Sequence, residues 1–269
     1  GLKGGKRMAS TFKLLGTSCG LGVPSFHCKC VACEEAYSNP RWARTRSGAI
    51  LDTGEKKILV DTSPDLREQL VRERISSVDV IFITHWHYDH FGGIGDLEYY
   101  VRLERKEPIK LYLPPSALDS FSTAFPFLDD VYDIEPWEFF RSYSYGQVRL
   151  TVLPANHSIE TGGILLEGKK RLAYFTDTAP FIEETAQKVR GVDYLICDAT
   201  MNGENWFPHS HMNVEEAIKL GEAVQAKETI LTHLSMHYSA PITMEALQEK
   251  IKDYPQVSVA YDGMELKIS

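Results

Sequence analysis

The sequence of 269 residues has no apolar run long enough to span a membrane, although 43% of its residues are hydrophobic. It also has no excess of basic residues, because 37 aspartates and glutamates outnumber 29 lysines and arginines and give a net charge of −8. This balance argues against an extended nucleic-acid surface, but it is compatible with a small anionic substrate in a local pocket. The first residues contain no apolar secretion core, so we expect a cytoplasmic protein that does not bind a membrane.

Cysteine is scarce, and its number is odd: the chain has five. Three of them cluster as Cys28-x-Cys30-x-x-Cys33, whereas Cys19 and Cys197 stand apart. In a reducing compartment such a cluster more often binds a metal than forms disulfides. Three thiolates within six residues indicate a structural zinc site that takes its fourth ligand from elsewhere. The alternative is a long loop with three free thiols.

One stretch, residues 84–90, is rich in side chains that can bind a metal. It follows the apolar run 78–83, which predicts a buried strand, and it precedes a glycine-rich bend. Functional residues commonly lie on loops that follow strands. The imidazoles of His85 and His87 suit a borderline transition metal, and a carboxylate from Asp89 beside His90 adds charge for a second cation.

Three further residues of ligand type lie at the ends of predicted strands. They are His157, Asp177 and His233. Taken one at a time, such residues are more often structural than metal ligands. Strands alternate with helices through both halves of the chain, and this pattern alone predicts an α/β protein.

The spacing His85-x-His87-x-Asp89-His90 resembles the signature of the metallo-β-lactamase superfamily. This resemblance implies a four-layer αβ/βα sandwich, in which two mixed sheets pack face to face with helices outside. We expect one metallo-hydrolase domain over residues 10–269. Residues 1–9 would form a disordered arm or non-native residues.

The resemblance also implies a centre of two divalent ions, with manganese, zinc or iron as the metal. The ligands would be His85, His87 and His157 for one ion, Asp89, His90 and His233 for the other, and Asp177 as a bridge. Asp61 and Asp198, each at a strand end, would support these ligands by hydrogen bonds. Between two such ions the pKa of a water falls from 15.7 to about 7, so hydroxide forms at neutral pH.

A finer resemblance links the chain to the PhnP-type phosphoribosyl cyclic phosphate phosphodiesterases. It is carried by the segments 15–17, 22–24, 28–33, 156–158, 177–179, 230–233 and 262–265. That family completes its cysteine site with a histidine just beyond the last catalytic ligand. This position matches His237, although an additional residue lengthens the gap after His233. His27 is the adjacent alternative, but it would crowd the tetrahedron.

The same family places a histidine near the scissile phosphate. Its position fits His211, with His209 as the rival, and we count His211 and Asp89 as catalytic. The histidine would donate a hydrogen bond to phosphoryl oxygens or protonate the leaving ribose oxygen. The predicted reaction is the opening of a small ribose cyclic phosphate to a monoester by the metal-bridging hydroxide.

Two other functions remain open at this point. A ribonuclease Z-like phosphodiesterase would need an extended basic arm, and none is evident. A PqqB-like metal-binding accessory protein shares the cysteine cluster, but the complete ligand set argues against it. A β-lactamase lacks this cysteine loop. The resemblance to this family also implies a homodimer. For the aromatic-rich segment 120–145 three roles stay open: the wall of a pocket, a dimer surface, or ordinary packing at the edge of the fold.

Overall fold

The computed structural model describes residues 9–269, which form fourteen strands and eight α-helices. The strands are β1 (Thr11–Gly16), β2 (Gly48–Asp52), β3 (Lys57–Val60), β4 (Val80–Phe82), β5 (Ile109–Leu113), β6 (Tyr132–Pro136), β7 (Ser142–Tyr145), β8 (Val148–Pro154), β9 (Gly162–Glu167), β10 (Arg171–Phe175), β11 (Tyr194–Asp198), β12 (Glu228–Thr232), β13 (Val257–Val259) and β14 (Glu265–Lys267). The predicted arm over residues 1–9 lies outside the described residues, apart from Ala9.

The helices lie mostly between the strands of each half. They are α1 (Val31–Ser38), α2 (Leu66–Arg72), α3 (Tyr88–Phe91), α4 (Glu98–Tyr100), α5 (Leu118–Ala124), α6 (Glu183–Val189), α7 (Val214–Ala223) and α8 (Met244–Lys250). A π-helical turn, Val101–Arg105, follows α4 directly. No helix within residues 9–269 is long and apolar enough to cross a bilayer.

Two seven-stranded sheets share one topology. The first has the order β14-β1-β2-β3-β4-β5-β6 and the second the order β13-β12-β11-β10-β9-β8-β7. In the first sheet, three antiparallel pairs are followed by three parallel pairs. The second sheet repeats that series when it is read from β7.

Three apolar clusters hold the layers together. Phe12, Phe82 and Tyr174 belong to the cluster between the sheets. A second cluster packs α2 and α5 on the outer face of the first sheet, and a third packs α1, α7 and α8 on the outer face of the second. The expected four-layer sandwich of two mixed sheets, with helices outside, is therefore confirmed.

The structure corrects one local expectation and selects among the alternatives for another. The cysteine segment is not a long loop throughout, because α1 begins at Val31 within the cluster. The aromatic-rich segment contains α5 and the unpredicted strands β6 and β7, which form one edge of each sheet. Trp137 is buried there and donates its Nε1 hydrogen to the Ile83 carbonyl, 2.7 Å away. Edge packing, rather than a pocket wall, therefore accounts for that aromatic side chain.

The strand directions bring the carboxyl ends of several strands to one edge of the sandwich. β10, β11 and β12 are parallel, and β8 runs in the same direction because it pairs with β9, which is antiparallel to β10. Each of β4, β8, β10 and β12 is followed closely by a predicted ligand.

Candidate metal centre

The seven predicted ligands converge at this edge. Three sets of side chains each bring their donor atoms within 4.8 Å of one another. The first set is His85, His87 and His157; the second is Asp89, His90 and His233; the third is His85, His90 and Asp177. The first two sets are the two groups expected from the sequence. The third contains the carboxylate expected to bridge them.

Asp177 lies at the middle of the cluster, and its side chain is only 4% exposed. Its Oδ1 is 3.0 Å from His90 Nε2. Its Oδ2 lies 3.6 Å from His85 Nε2, 3.8 Å from His157 Nε2 and 3.4 Å from His233 Nε2. One carboxylate therefore faces ligands of both groups, as a bridge between two cations requires.

Four buried ring nitrogens have no hydrogen-bond partner among the described residues. They are Nε2 of His85, His90, His157 and His233. A buried polar atom without a partner is costly, so native structures rarely tolerate several in one place. Imidazole nitrogens and carboxylates are the donors that zinc and related divalent ions accept. The residues present therefore fit a pair of divalent ions.

The opposite nitrogen of each ring is held by the protein. His157 Nδ1 is 2.7 Å from the carbonyl oxygen of Ser210. A carbonyl only accepts, so the Nδ1 of His157 carries the proton and its Nε2 lone pair faces the centre. His90 Nδ1 is likewise 2.7 Å from Asp61 Oδ2.

Two threonine hydroxyls hold the other two rings. Thr84 Oγ1 lies 2.9 Å from His85 Nδ1, and Thr200 Oγ1 lies 2.9 Å from His233 Nδ1. Neither threonine was predicted to have this role from the sequence. Thr84 directly precedes the ligand His85, and Thr200 lies two residues after Asp198, so their positions are a signal that could have found them. No such signal marks the Ser210 carbonyl, because every residue has a backbone carbonyl group.

Asp61 contacts the expected ligand His90 directly, whereas Asp198 reaches the ligand His233 only through Thr200, whose hydroxyl donates to Asp198 Oδ1 at 2.7 Å. Asp61 also accepts hydrogen bonds from the amide and hydroxyl of Thr84, at 2.7 and 2.9 Å. Asp61 and His233 both have positive φ angles, 68° and 56°. A non-glycine residue in that region is strained, and such strain persists where surrounding contacts hold it.

Carboxylates dominate the electrostatics of His90. Burial opposes its protonation, but Asp177, Asp89 and Asp61 outweigh burial and raise the pKa of His90 well above its usual value. A divalent cation competes with this proton for the same three negative charges. Burial lowers the pKa of His85 well below its usual value, which favours the neutral imidazole that a metal binds.

His211 lies beside the centre. Its Nδ1 is 2.7 Å from Asp198 Oδ2, and its ring stacks on His233 with centroids 5.5 Å apart. Burial opposes its protonation, but Asp198 outweighs burial and raises the pKa of His211 to about 9. His209 is exposed, whereas His211 shares a donor set with His157 and Asp177. The geometry therefore favours His211 over its rival.

The cysteine cluster forms a second donor set. Cys28, Cys30, Cys33 and His237 place their donor atoms within 4.8 Å of one another. His237 Nδ1 lies 3.4 Å from Cys30 Sγ and 3.2 Å from Cys33 Sγ. His237 Nε2 donates to the Gly22 carbonyl at 2.9 Å, so its Nδ1 lone pair faces the sulfurs.

His27 is not part of this set, and its ring packs edge-on against Phe26. The structure thus brings His237, not the adjacent His27, to the thiols. All five cysteines lie in the described part of the chain, and all are free. Burial raises the pKa of the Cys33 thiol to about 12, so a metal bound there must displace a proton.

A family match agrees with the fold and the donor sets. Residues 56–234 match the beta-lactamase superfamily domain, and this stretch contains all seven ligands of the dinuclear cluster. The chain belongs to the beta-lactamase superfamily.

The chain is similar to proteins that carry two different functional names. A coenzyme PQQ synthesis protein B from Methylorubrum populi is 31% identical over 221 residues, covering 70% of this chain and 72% of the relative. An octanoyltransferase from Porphyromonas gingivalis is 30% identical over 262 residues, covering 94% of this chain. This chain spans about half the length of that octanoyltransferase, as the match covers 50% of it.

Among solved structures, a diphosphatase from the PhnP family superposes with a TM-score of 0.85. It is 25% identical, and the match covers 97% of each chain. The resemblance to PhnP-type members of the superfamily is thereby confirmed over nearly the whole chain.

Proposed function

We propose that this chain is a metal-dependent phosphodiesterase that opens a small ribose cyclic phosphate to a monoester. The observation that carries the proposal is the convergence of four partnerless Nε2 atoms on the Asp177 carboxylate. The similarity to a PhnP-family diphosphatase supports phosphate esters as the substrate class.

Each residue of the centre has a role in this proposal. His85, His87 and His157 would hold one cation, Asp89, His90 and His233 the other, and Asp177 both. Two bound cations supply Lewis acidity and a hydroxide at neutral pH. His211, held by Asp198 through Nδ1, donates a proton to the leaving ribose oxygen.

The cysteine set has a structural role in the same proposal. Cys28, Cys30, Cys33 and His237 would bind one zinc ion away from the reacting phosphate. His237 lies four residues after His233, so this ion would secure the segment that carries a catalytic ligand.

A small anionic diester suits the charges better than a long polynucleotide. The net charge of −8 opposes an extended backbone contact, which argues against a ribonuclease Z-like activity. The second candidate is a metal-binding accessory protein with little hydrolytic activity. The relationship to a coenzyme PQQ synthesis protein B favours it.

The test is hydrolysis by metal-stripped protein reloaded with manganese or zinc. Its substrates are bis(p-nitrophenyl) phosphate, p-nitrophenyl phosphate and a 2′,3′-cyclic nucleotide. We expect metal-dependent cleavage of both diesters but not of the monoester, and loss of that cleavage in Asp177→Asn. Full metal content without diester cleavage would overturn the proposal. Thioesters, lactones and carboxylic esters would then be tried, before a non-catalytic role is accepted.

A further inference from the structure

A cavity of about 520 Å³ lies among the helices on the outer face of the first sheet. One wall is formed by α2 and the turn that follows it, and the other by residues 96–100. The volume is in the usual range of a small-molecule site, about 300–1,000 Å³. No residue that lines it belongs to the dinuclear centre or to the cysteine set, so the cavity is separate from both.

Most of the lining is aliphatic. Its aliphatic members are Leu70, Val71, Ile75, Val78 and Leu97. The backbone of Val78 has its polar groups occupied, because its amide donates to the Tyr100 hydroxyl at 3.2 Å and its carbonyl accepts from Arg105 at 3.4 Å. A polar group of a ligand would lose free energy against such a surface, whereas an aliphatic chain would gain it.

The chain ahead of each wall holds the two walls together. Thr62, ahead of α2, donates its amide hydrogen to the His90 carbonyl at 2.9 Å. Gly93, ahead of residues 96–100, donates to the Thr62 carbonyl, also at 2.9 Å. The cavity is therefore shaped by the fold before a ligand arrives, which lowers the cost of binding.

The charges that border the cavity are two arginines and one carboxylate. They are Arg67, Arg74 and Asp96. Asp96 lies near Arg67: burial raises the pKa of the Asp96 carboxyl, and the charge of Arg67 offsets part of that rise. One of the two cations is therefore compensated within the cavity, and Arg74 is not.

Arg74 also borders a smaller cavity, in which three acids meet two lysines. These residues are Asp52, Glu73, Glu265, Lys13 and Lys57. Glu73 and Glu265 lie 3.2 and 3.9 Å from Lys13 Nζ, and Glu73 also pairs with Arg72 at 2.6 Å. Within residues 9–269 no carboxylate forms an ion pair with Arg74, so its guanidinium can receive an anion.

The backbone fixes Arg74 at the mouth of the cavity. The Arg74 amide donates to the Val71 carbonyl at 3.2 Å, and the Ile75 amide donates to the Leu70 carbonyl at 2.9 Å. These two bonds end α2 in a Schellman motif, and the φ of Arg74 is 53°. Glycine is the usual residue at that position, so a long cationic side chain is held here against backbone strain.

Further hydrogen-bond donors lie beside Arg74. Ser76 and Ser77 border the cavity with their hydroxyls, and their amides have no backbone acceptor in the described part of the chain. A carboxylate accepts such hydrogen bonds and pairs with a guanidinium through both of its oxygens. The mouth therefore suits a single negative charge, and the lining behind it suits an aliphatic chain.

We infer that this cavity is a binding site for an aliphatic carboxylate, with the carboxylate at Arg74 and the chain along Leu70, Val78 and Leu97. One uncompensated guanidinium matches a monoanion better than a phosphate dianion. The inference is independent of the proposed phosphodiesterase function, because no ligand of the metal centre takes part in it.

Calorimetric titration of the metal-loaded protein tests the ligand class. Its probes are decanoate, butanoate and decanol, each kept below the concentration at which it aggregates. We expect one decanoate to bind per chain, and butanoate and decanol to bind at least about tenfold more weakly, because one lacks the chain and the other the charge. Equal binding of butanoate and decanoate would place the carboxylate at the metal ions and overturn the inference.

Substitutions of the two arginines locate the carboxylate. Asparagine tolerates a positive φ, so Arg74→Asn should keep the fold while weakening decanoate binding about tenfold and leaving decanol binding unchanged. Arg67→Gln is the matched control at the compensated arginine and should change decanoate binding by less than about threefold. Equal losses in the two variants would contradict the assignment of the carboxylate to Arg74.

Filling the cavity locates the chain. Val71 is 63% exposed on α2, so Val71→Trp should fold normally and remove decanoate binding by occupying the space. Leu103→Trp, at a 71% exposed leucine outside the lining, is the control and should bind decanoate normally. Metal content and melting temperature check the fold of each variant. Undiminished decanoate binding in both Val71→Trp and Arg74→Asn would reject the site.

Discussion

Each of four histidines has one ring nitrogen bound by the protein and the other turned to the centre. For His90 the partner is Asp61, which also accepts two hydrogen bonds from Thr84. The direction of the lone pair, and not only the presence of a histidine, therefore prepares a metal site.

Replacing Asp61 with asparagine tests this arrangement. The substituted amide keeps the shape but loses the negative charge beside His90 Nδ1. We expect metal affinity or activity to fall about 10- to 100-fold, measured by metal content and by diester hydrolysis. Asp133→Asn, at an exposed carboxylate paired with Lys110, serves as the control and should bind metal normally. Unchanged metal content together with unchanged diester hydrolysis in Asp61→Asn would show that the contact does not orient the ligand.

His211 offers a prediction that separates proton donation from metal binding. Changing His211 to alanine should lower kcat by about 10²- to 10⁴-fold, the usual contribution of a general acid, while metal content stays intact. The exposed neighbour His209 is the matched control, and His209→Ala should remain close to the unchanged protein. If His211→Ala loses metal, His211 is a ligand instead, as its proximity to His157 and Asp177 would allow.

At the scale of elements, the cysteine set joins two distant segments. The thiols lie at the start of α1, whereas His237 follows β12 and the ligand His233. A metal at this set would link α1 to the segment that carries a ligand of the dinuclear centre. The N-terminus of α7 is fixed nearby, since Asn213 and Glu216 form a capping box just after His211.

Changing Cys33 to serine tests the structural site. Serine is a poor zinc ligand, so the protein should lose one metal per chain and melt at a lower temperature. Metal content and thermal unfolding are the measurements. Cys197→Ala is the control for packing, because Cys197 is equally buried but lies outside the set. That control should retain all its metal even if its melting temperature falls.

At the scale of the whole molecule, the dinuclear centre spans both sheets. His85, His87, Asp89 and His90 follow β4 of the first sheet, whereas His157, Asp177 and His233 follow strands of the second. Bound cations would therefore stabilise the packing of one sheet against the other, in addition to the apolar cluster between them.

Removal of metal should lower global stability. A ligand present at a hundred times its Kd stabilises the folded state by about 2.7 kcal/mol, because it binds that state alone. For a domain of this size we expect chelation to lower Tm by about 5 °C or more. Differential scanning fluorimetry at increasing manganese, which thiolate sites bind poorly, would show Tm rising with metal concentration. Asp177→Asn should flatten that dependence, and an equal rise in both proteins would contradict a metal bound at this centre.

The sequence by itself determined the kinds of donor, their order along the chain and the alternation of strands with helices. These features are local, so the spacing from His85 to His90 and the capping residue Asn213 could be recognised without coordinates. The resemblance supplied the four-layer sandwich, which periodicity could not distinguish from other α/β folds.

The tertiary structure alone decided which way each donor faces. The choice of His237 over His27, of His211 over His209, and the proton position on His157 all depend on residues distant in sequence. His237 lies 204 residues from Cys33, and the carbonyl that holds His157 lies 53 residues away. Such contacts form only when strand direction and sheet packing bring loops together, and no local pattern encodes them.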